Sequence, residues 1–449
     1  MGQQLEKPVT DKDSDHGSPW GALHLAWASS AMQGWRPRME DAHVCLASLQ
    51  PAQCSSIGVA PWTAGWHGLA LFGVMDGHGG EHVAKFCERH LPEELCSLPV
   101  DVTGAGRKPE DVGEAMKDAF HRMDDLLRDR KVSLPELRLL ANKQAAQARV
   151  DPDHIGCTAC VCCVLDKHIV VANAGDSRAV LCRGGQAVAL SFDHKPNAPS
   201  ERNRIEKAGG RVVLTEGNQF RVNGNLNLSR ALGDLEFKKD RCRRPEEQVI
   251  SGTPDIHVHD RHKDDEFMVI CCDGIWDMMK NQEVVDFVRK RMPKERTADP
   301  QRMTNILEAL LDKCLSPNLA TTGGYGGDNM TAVLVRFQES WPCLDTVHQG
   351  QSTTGQVAGT LQVAIYMPTG CELGDILLRV CPVSSSIHVG ATEPGGRHFV
   401  SNIISLKESL PEGASLRAQP CAKLNSNTSQ LVVDLPWHMS PRSGLVARP

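Results

Sequence analysis

Six carboxylates of this chain stand at the ends of apolar runs or in tight loops: Glu40 and Asp41, then Asp76, Asp176, Asp273 and Asp328. Asp76 follows Phe72-Gly-Val-Met75 and precedes Gly77-His78, while Asp273 follows Val269-Ile-Cys-Cys272 and precedes Gly274. Asp-Gly between apolar segments is by itself a common turn signal. Its recurrence asks for more. Carboxylates packed together either take up protons or bind a cation, and hard divalent ions prefer oxygen ligands. A glycine after the acid lets the backbone approach such an ion and offers its carbonyl as a further ligand. Without clustered histidine or thiolate ligands the donor set favours Mg²⁺ or Mn²⁺ over zinc. Two such ions about 3.5 to 4 Å apart lower the pKa of a shared water and stabilise in-line displacement at phosphorus. Phosphate-ester hydrolysis is the chemistry this suggests. Arg36, four residues before Glu40, can hold two phosphate oxygens with its planar fork. His78 can protonate a leaving alkoxide, although a lone turn histidine needs no such role.

Elements must bring these ends together. Leu23 to Ser30, His43 to Leu49 and Leu69 to Met75 read as strands, with a Pro/Gly-rich insert from Gln50 to Gly68. Val83, Phe86 and Cys87, then Met116, Ala119, Phe120, Met123 and Leu127, fall at helical steps, and Ser133 to Ala148 continues that section. Gly156 to Phe192 is a β-meander, and a short helix capped by Ser200 runs to Gly209-Gly210. Ile256 to Val258, Phe267 to Cys272 and Met330 to Phe337 are further strands, while Gln282 to Arg291 and Met303 to Cys314 are amphipathic helices. This order does not alternate as βαβ units would. An α+β fold follows, with two packed antiparallel β-sheets and helices outside.

The same residues lie in motifs that resemble those of the metal-dependent protein phosphatases, the type 2C serine/threonine family. Met32-Gln-Gly-Trp-Arg-Pro-Arg-Met-Glu-Asp-Ala-His43, Val74-Met-Asp-Gly-His-Gly-Gly80, Gly175-Asp-Ser-Arg178, Asp193-His-Lys-Pro196, Val222-Asn-Gly-Asn-Leu-Asn-Leu-Ser-Arg-Ala-Leu-Gly-Asp234, Cys272-Asp-Gly-Ile-Trp-Asp277 and Asp328-Asn-Met330 occur in the family's order across roughly residues 20 to 338. The resemblance implies an αββα four-layer sandwich. It also implies that Asp76 bridges two ions, Glu40 and the Gly77 carbonyl serve one, and Asp273 and Asp328 serve the other. Asp41 would hold a metal-bound water, Arg36 the substrate phosphate, and His78 would be the general acid. Asp176 and Asp277, with Asp273, match a third, weaker metal site, and Thr158 a position near it. A metal-bridging hydroxide would attack phosphorus directly, without a phosphoenzyme. Pro37 and Arg38 after Arg36, and Gly326-Gly327 before Asp328, differ from the family's usual flanks and bear on substrate preference. Arg230 and Asp234 read as an ion pair within their loop, and Trp276 as packing beside the metal-bearing strand.

The whole chain bounds these readings. Its 449 residues, 41% hydrophobic and 23% charged, suit a soluble globular protein, and a net charge of −6 leaves no footprint for nucleic acid. Most of the seventeen cysteines sit in apolar runs, as small buried hydrophobes do in a reducing compartment, and Cys157-x-x-Cys160 lacks a second zinc half-site. With no long apolar run, the expectation is a monomer of the cytosol or nucleus. Met1-Gly2 begins like a myristoylation signal, but Glu6 replaces the serine or threonine. Asp11-Lys-Asp-Ser-Asp15 starts like a calcium loop but has His16 and Ala22 where glycine and glutamate belong, which leaves a solvated acidic arm. The expected organisation is a flexible arm over 1–20, a catalytic domain over 21–340, a linker over 341–359, a small β-sandwich over 360–438 and a tail over 439–449. The β-sandwich weakly resembles the CS-type domain of cochaperones, and its alternative is a β-extension packed on the body. The two functional classes are an enzyme acting on phosphoserine and phosphothreonine proteins, and a metal-stabilised module recruiting chaperones or substrates through the C-terminal domain.

Overall fold

The computed structural model describes residues 4–17, 25–47, 69–98, 108–140, 150–215, 219–293 and 300–337, isolated positions Leu23, Leu49 and Trp66, and the backbone of the strands beyond residue 346. The chain divides into two compact units, residues 1–19 with 25–338 and residues 20–24 with 339–449.

In the first unit, one six-stranded antiparallel sheet has the order β1 (Val9–Gly17), β2 (Leu25–Gly34), β16 (Met330–Phe337), β15 (Asp265–Cys271), β9 (Arg178–Arg183) and β10 (Gln186–Ala189). A five-stranded antiparallel sheet has the order β14 (Asp255–Asp260), β8 (His168–Ala174), β7 (Ala159–Val164), β4 (Ala70–Met75) and β3 (Ala42–Leu46). Smaller pieces are the hairpin β11 (Val212–Thr215) and β12 (Gln219–Val222), and a three-stranded patch of β13 (Leu232–Gly233), β6 (Gly156–Cys157) and β5 (Gly77–His78).

Strand alternation explains why the sheets stack. On β15, Phe267, Val269 and Cys271 pack with helices, and the intervening Met268 and Ile270 are equally buried on the opposite face. Strand β4 behaves likewise, with Leu71 and Met75 towards helices and Phe72 and Val74 towards the other sheet. Strands β15 and β16 accordingly pack against β4. Helices α1 (His82–Ser97) and α2 (Pro109–Arg128) cover the five-stranded sheet through Phe86, Met116 and Phe120, and α3 (Arg130–Leu140) packs on those two helices, with Leu137 in the same core. Helices α6 (Asn281–Arg291) and α7 (Pro300–Cys314) cover the other through Val284, Val288, Leu307 and Leu310. The layers run helix, sheet, sheet, helix, as expected. Three short helices, α4 (Pro199–Lys207), α5 (Asp273–Trp276) and α8 (Leu319–Thr322), lie in loops.

Three local expectations are corrected. Residues 9–17 are an edge strand, not a solvated arm. Lys12, Ser14 and His16 face α7, reaching Asp312 at 2.7 Å, Glu308 at 2.9 Å and Thr304 at 3.4 Å, while Asp11, Asp13 and Asp15 alternate outward. The period of two was there, hidden by the acids. The cap of helix α4 lies two residues earlier than expected, at Ala198 and not Ser200, with Pro199 in the first turn, because proline's fixed φ suits that position. The expected linker contains Val347–Gln349, which pairs with Ala358–Tyr366. Most of the 50–68 insert, and residues 141–148 of the expected third helix, lie outside the described residues.

The second unit holds two antiparallel sheets. One joins Val347–Gln349, Ala358–Tyr366 and Gln430–Met439, with Ala414–Leu416 and Cys421–Asn425 both pairing the last of these. The other joins Ile376–Cys381, Ser386–Thr392 and His398–Ser405.

Around α4 the first unit is tied by a buried ionic cluster. Glu201 accepts from Arg230 at 2.8 Å, Arg204 at 2.6 Å and Ser229 at 2.6 Å, and Arg230 also reaches Asp255 at 2.6 Å. Burial alone would raise the Glu201 carboxyl, but Arg230 and Arg204 outweigh it and hold the group at about 2. A depressed folded pKa stabilises above the unfolded value and is lost as pH falls through the folded one. Glu201→Gln should therefore destabilise by about 3 kcal/mol at pH 7, and the difference from the native chain should shrink between about pH 5 and pH 2. Denaturant unfolding of both proteins across that range checks this; a difference independent of pH would contradict it.

Candidate active site

Register places the acids on one rim. In the five-stranded sheet Met75 pairs with Ala42 and Ala159 with Ala174, so Asp41, Asp76, Thr158 and Asp176 leave their strands at the same end. In the six-stranded sheet Cys271 pairs with both Ala332 and Arg178, which brings the chain after β15 beside the entry to β16. Asp273 opens α5 and Asp328 precedes β16.

Carboxylate oxygens of Asp76, Asp176 and Asp273 lie within 4.8 Å of one another, as do those of Asp41 and Asp76 with the Cys272 Sγ. At an effective dielectric near 20, two full charges at that spacing repel by roughly 3 kcal/mol. The groups respond accordingly. Burial, then Asp273, Asp41 and Asp328, push the Asp76 carboxyl well above the usual range. Burial, then Asp176, Asp328 and Asp277, do the same to Asp273. Burial carries Asp41 up to about 7, against the hydrogen bond that Thr331 Oγ1 donates to its Oδ2 at 2.7 Å. Asp41 Oδ1 is buried with no hydrogen-bond partner. Glu40 is also raised, by burial, with Arg36 opposing.

Cations already lean on this rim. Arg36 donates to Asp328 Oδ2 at 2.5 Å, and Lys195 to Asp176 Oδ2 at 2.5 Å. Asp277 sits at the exposed edge. Gly77 is required sterically, since a Cβ there would overlap the Glu40 carbonyl oxygen. Gly274 is required likewise against the Asn329 carbonyl.

Asn329 and Lys195 were not foreseen as contributors. Buried Asn329 clamps the Arg36 loop: its Oδ1 accepts from the Glu40 N–H at 3.0 Å, and its Nδ2 donates to the carbonyls of Gln33 at 2.8 Å and Arg38 at 3.0 Å. Thr158 braces the Asp76 turn, its N–H donating to the Asp76 carbonyl at 2.8 Å and its Oγ1 accepting from the Asp76 N–H at 3.2 Å. Asn329 and Lys195 stand inside quoted motifs, which was the available signal. The expected Arg230–Asp234 pair does not form. Arg230 belongs to the Glu201 cluster, and Asp234 Oδ2 instead lies 2.6 Å from His78 Nε2. Burial opposes charge on the His78 ring, but Asp234 prevails and raises its pKa. Trp276 packs in the core as read, donating to the Cys271 carbonyl at 2.9 Å. Burial pushes the Cys272 thiol well up.

A family model described as Protein phosphatase 2C matches residues 25–322. The chain is 39% identical over 369 residues to Probable protein phosphatase 2C 11 of Oryza sativa subsp. japonica, across 76% of this chain and 91% of that protein. It is 41% identical over 339 residues to Protein phosphatase 2C homolog 2 of Schizosaccharomyces pombe, across 75% of this chain and 79% of that protein. A crystal structure of a phosphatase from a pathogenic strain of Toxoplasma gondii superposes with a TM-score of 0.52 at 23% identity, across 73% of this chain and 96% of that one. This last likeness concerns the fold.

The crowding makes a prediction about stability. Mn²⁺ or Mg²⁺ at saturating concentration should raise Tm by about 5 °C or more. Asp76→Asn should abolish that rise while melting no lower than the native chain without metal, because it removes one repelling charge. Thermal unfolding in chelator and in metal checks both, and a metal-free Asp76→Asn protein melting well below the native one would contradict the electrostatic reading.

Proposed function

The chain belongs to the protein phosphatase 2C family and is a metal-dependent protein serine/threonine phosphatase; from that premise we propose how its own residues divide the work. The convergence of Asp41, Asp76, Asp176 and Asp273 on one rim, with Arg36 beside it, carries the reading. The donor set fits divalent ions: the Asp76, Asp176 and Asp273 group is all carboxylate and strongly crowded, and Asp41 adds an unpartnered buried oxygen beside it. Asp76, Asp273, Asp328, Glu40 and the Gly77 carbonyl would hold two Mg²⁺ or Mn²⁺ ions, and Asp176 and Asp277 with Asp273 a third. When bound, such ions supply Lewis acidity, acidifying a water and neutralising charge on the phosphoryl group.

Arg36 would fork two phosphoryl oxygens, on a loop that Asn329 keeps from shifting. Asp41 Oδ1 would accept a hydrogen bond from the attacking water and orient it in line with the scissile bond. As the P–O bond to serine or threonine breaks, His78 would give its proton to the departing oxygen. No covalent phosphoenzyme is needed, and the Cys271 and Cys272 thiols beside the rim, pushed up by burial, suit a single displacement. The substrates are phosphoserine and phosphothreonine proteins, met in the cytosol or nucleus, and the second unit would serve as a docking module for a protein partner.

Phosphate release from a phosphoserine peptide should depend on Mn²⁺ or Mg²⁺ and fall by about 10²-fold or more in Asp76→Asn and Asp273→Asn. Arg36→Ala should raise KM by about tenfold. Full activity in both aspartate variants would leave the scaffold reading standing. If residues 1–345 match the full chain on peptides but lose ground on intact phosphoproteins, the docking role holds; equal behaviour on both removes it.

A further inference from the structure

His78 is gripped by a residue that stands outside the acidic rim. It lies on β5, paired with Gly156 of β6, and β6 pairs in turn with β13, so the residue after β13 arrives beside the His78 ring. That residue is Asp234, whose carboxyl is 2% exposed and meets His78 Nε2 at 2.6 Å, while the ring keeps 24% of its surface open. The main chain is committed to this placement. Asp234 adopts a left-handed backbone at φ 48°, one of two non-glycine residues with positive φ among the described residues. Its N–H donates to the Ile155 carbonyl at 3.0 Å, and Gly233 before it has φ 78°. Gly156 leaves the room required: a Cβ there would overlap Asp234 Oδ2 and come within 2.8 Å of His78 Nε2. Two glycines and one disfavoured backbone conformation are thus spent on a single histidine–carboxylate contact.

We propose that Asp234 is the positioning residue for His78. Resting on the reading of His78 as general acid, it accepts the Nε2–H and thereby leaves Nδ1 as the nitrogen that faces the leaving oxygen. When the P–O bond breaks, the departing alkoxide takes the proton from Nδ1, and the neutral ring keeps its other proton on Nε2 in the bond to Asp234. Solvent at the open edge of the ring restores the Nδ1 proton. The carboxylate itself is never the donor to substrate. It sets the tautomer and the aim of the ring.

Asp234→Asn tests this, since asparagine tolerates the left-handed backbone and nearly matches the side chain in size. The comparison is kcat on a phosphoserine peptide, whose alkoxide needs a proton, against p-nitrophenyl phosphate, whose leaving group does not. The variant should lose about 10- to 100-fold on the peptide and less than about 3-fold on the aryl ester, with Mn²⁺ affinity and peptide KM unchanged. In a His78→Gln background the same change should cost nothing further. Equal losses on both substrates, or weakened Mn²⁺ binding, would overturn the proposal by making Asp234 a support of the fold or of the metal rim. Selective loss in His78→Gln but not in Asp234→Asn would overturn the positioning role alone. No selectivity in His78→Gln would overturn the general-acid reading and this proposal with it. If Asp234→Asn does not fold, Gly156→Ala disturbs the same contact from the other side, and the same substrate comparison decides.

Discussion

Mutual repulsion among crowded carboxylates is the constraint on which this architecture turns. Asp76, Asp176 and Asp273 bring oxygens within 4.8 Å of each other at the junction of two sheets, and burial adds to the strain. Lys195 and Arg36 offset only part of that repulsion, and the cluster is held by cores on either side: α1 and α2 on one sheet, α6 and α7 on the other, with the facing surfaces of the sheets between them. Antiparallel register then determines which ends coincide, so a one-residue slip in β4 or β15 would move an acid off the rim and turn every side chain of that strand to the opposite face. Stability of the scaffold and composition of the site are therefore the same problem.

Around the cluster sits a second ring of groups that aim its members. Asn329 holds the loop carrying Arg36 and Glu40, Thr158 braces Asp76, Thr331 bonds Asp41, and Lys195 and Arg36 lend positive charge. The Arg36–Asp328 pair links the two halves of the chemistry: the arginine suited to phosphate rests on a carboxylate suited to metal. Glycines at 77 and 274 serve this ring by letting backbone lie against backbone.

Much of this was legible in the chain because acids at strand ends are a local pattern. An apolar run followed by Asp-Gly marks both the strand and its exit, and β4 and β15 were found near their observed bounds for that reason. Partners distant in sequence were harder. Asp234 was read against Arg230, four residues away, but the fold gives it to His78, 156 positions back, and gives Arg230 to Glu201 and Asp255. Local pairing is the natural guess, and topology overrode it. Strand β1 was missed because its alternating acids looked like a solvated arm, while Lys12, Ser14 and His16 between them carried the contacts to α7.

The central claim is that the acidic rim exists to hold divalent ions, and a binding isotherm tests it most directly. Titrating Mn²⁺ into the metal-free full-length chain by calorimetry should give two strong sites, and Asp273→Asn should lose at least one of them while the protein stays folded. A native chain that takes up no Mn²⁺ at millimolar concentration, or an Asp273→Asn isotherm that superposes on the native one, would contradict the account.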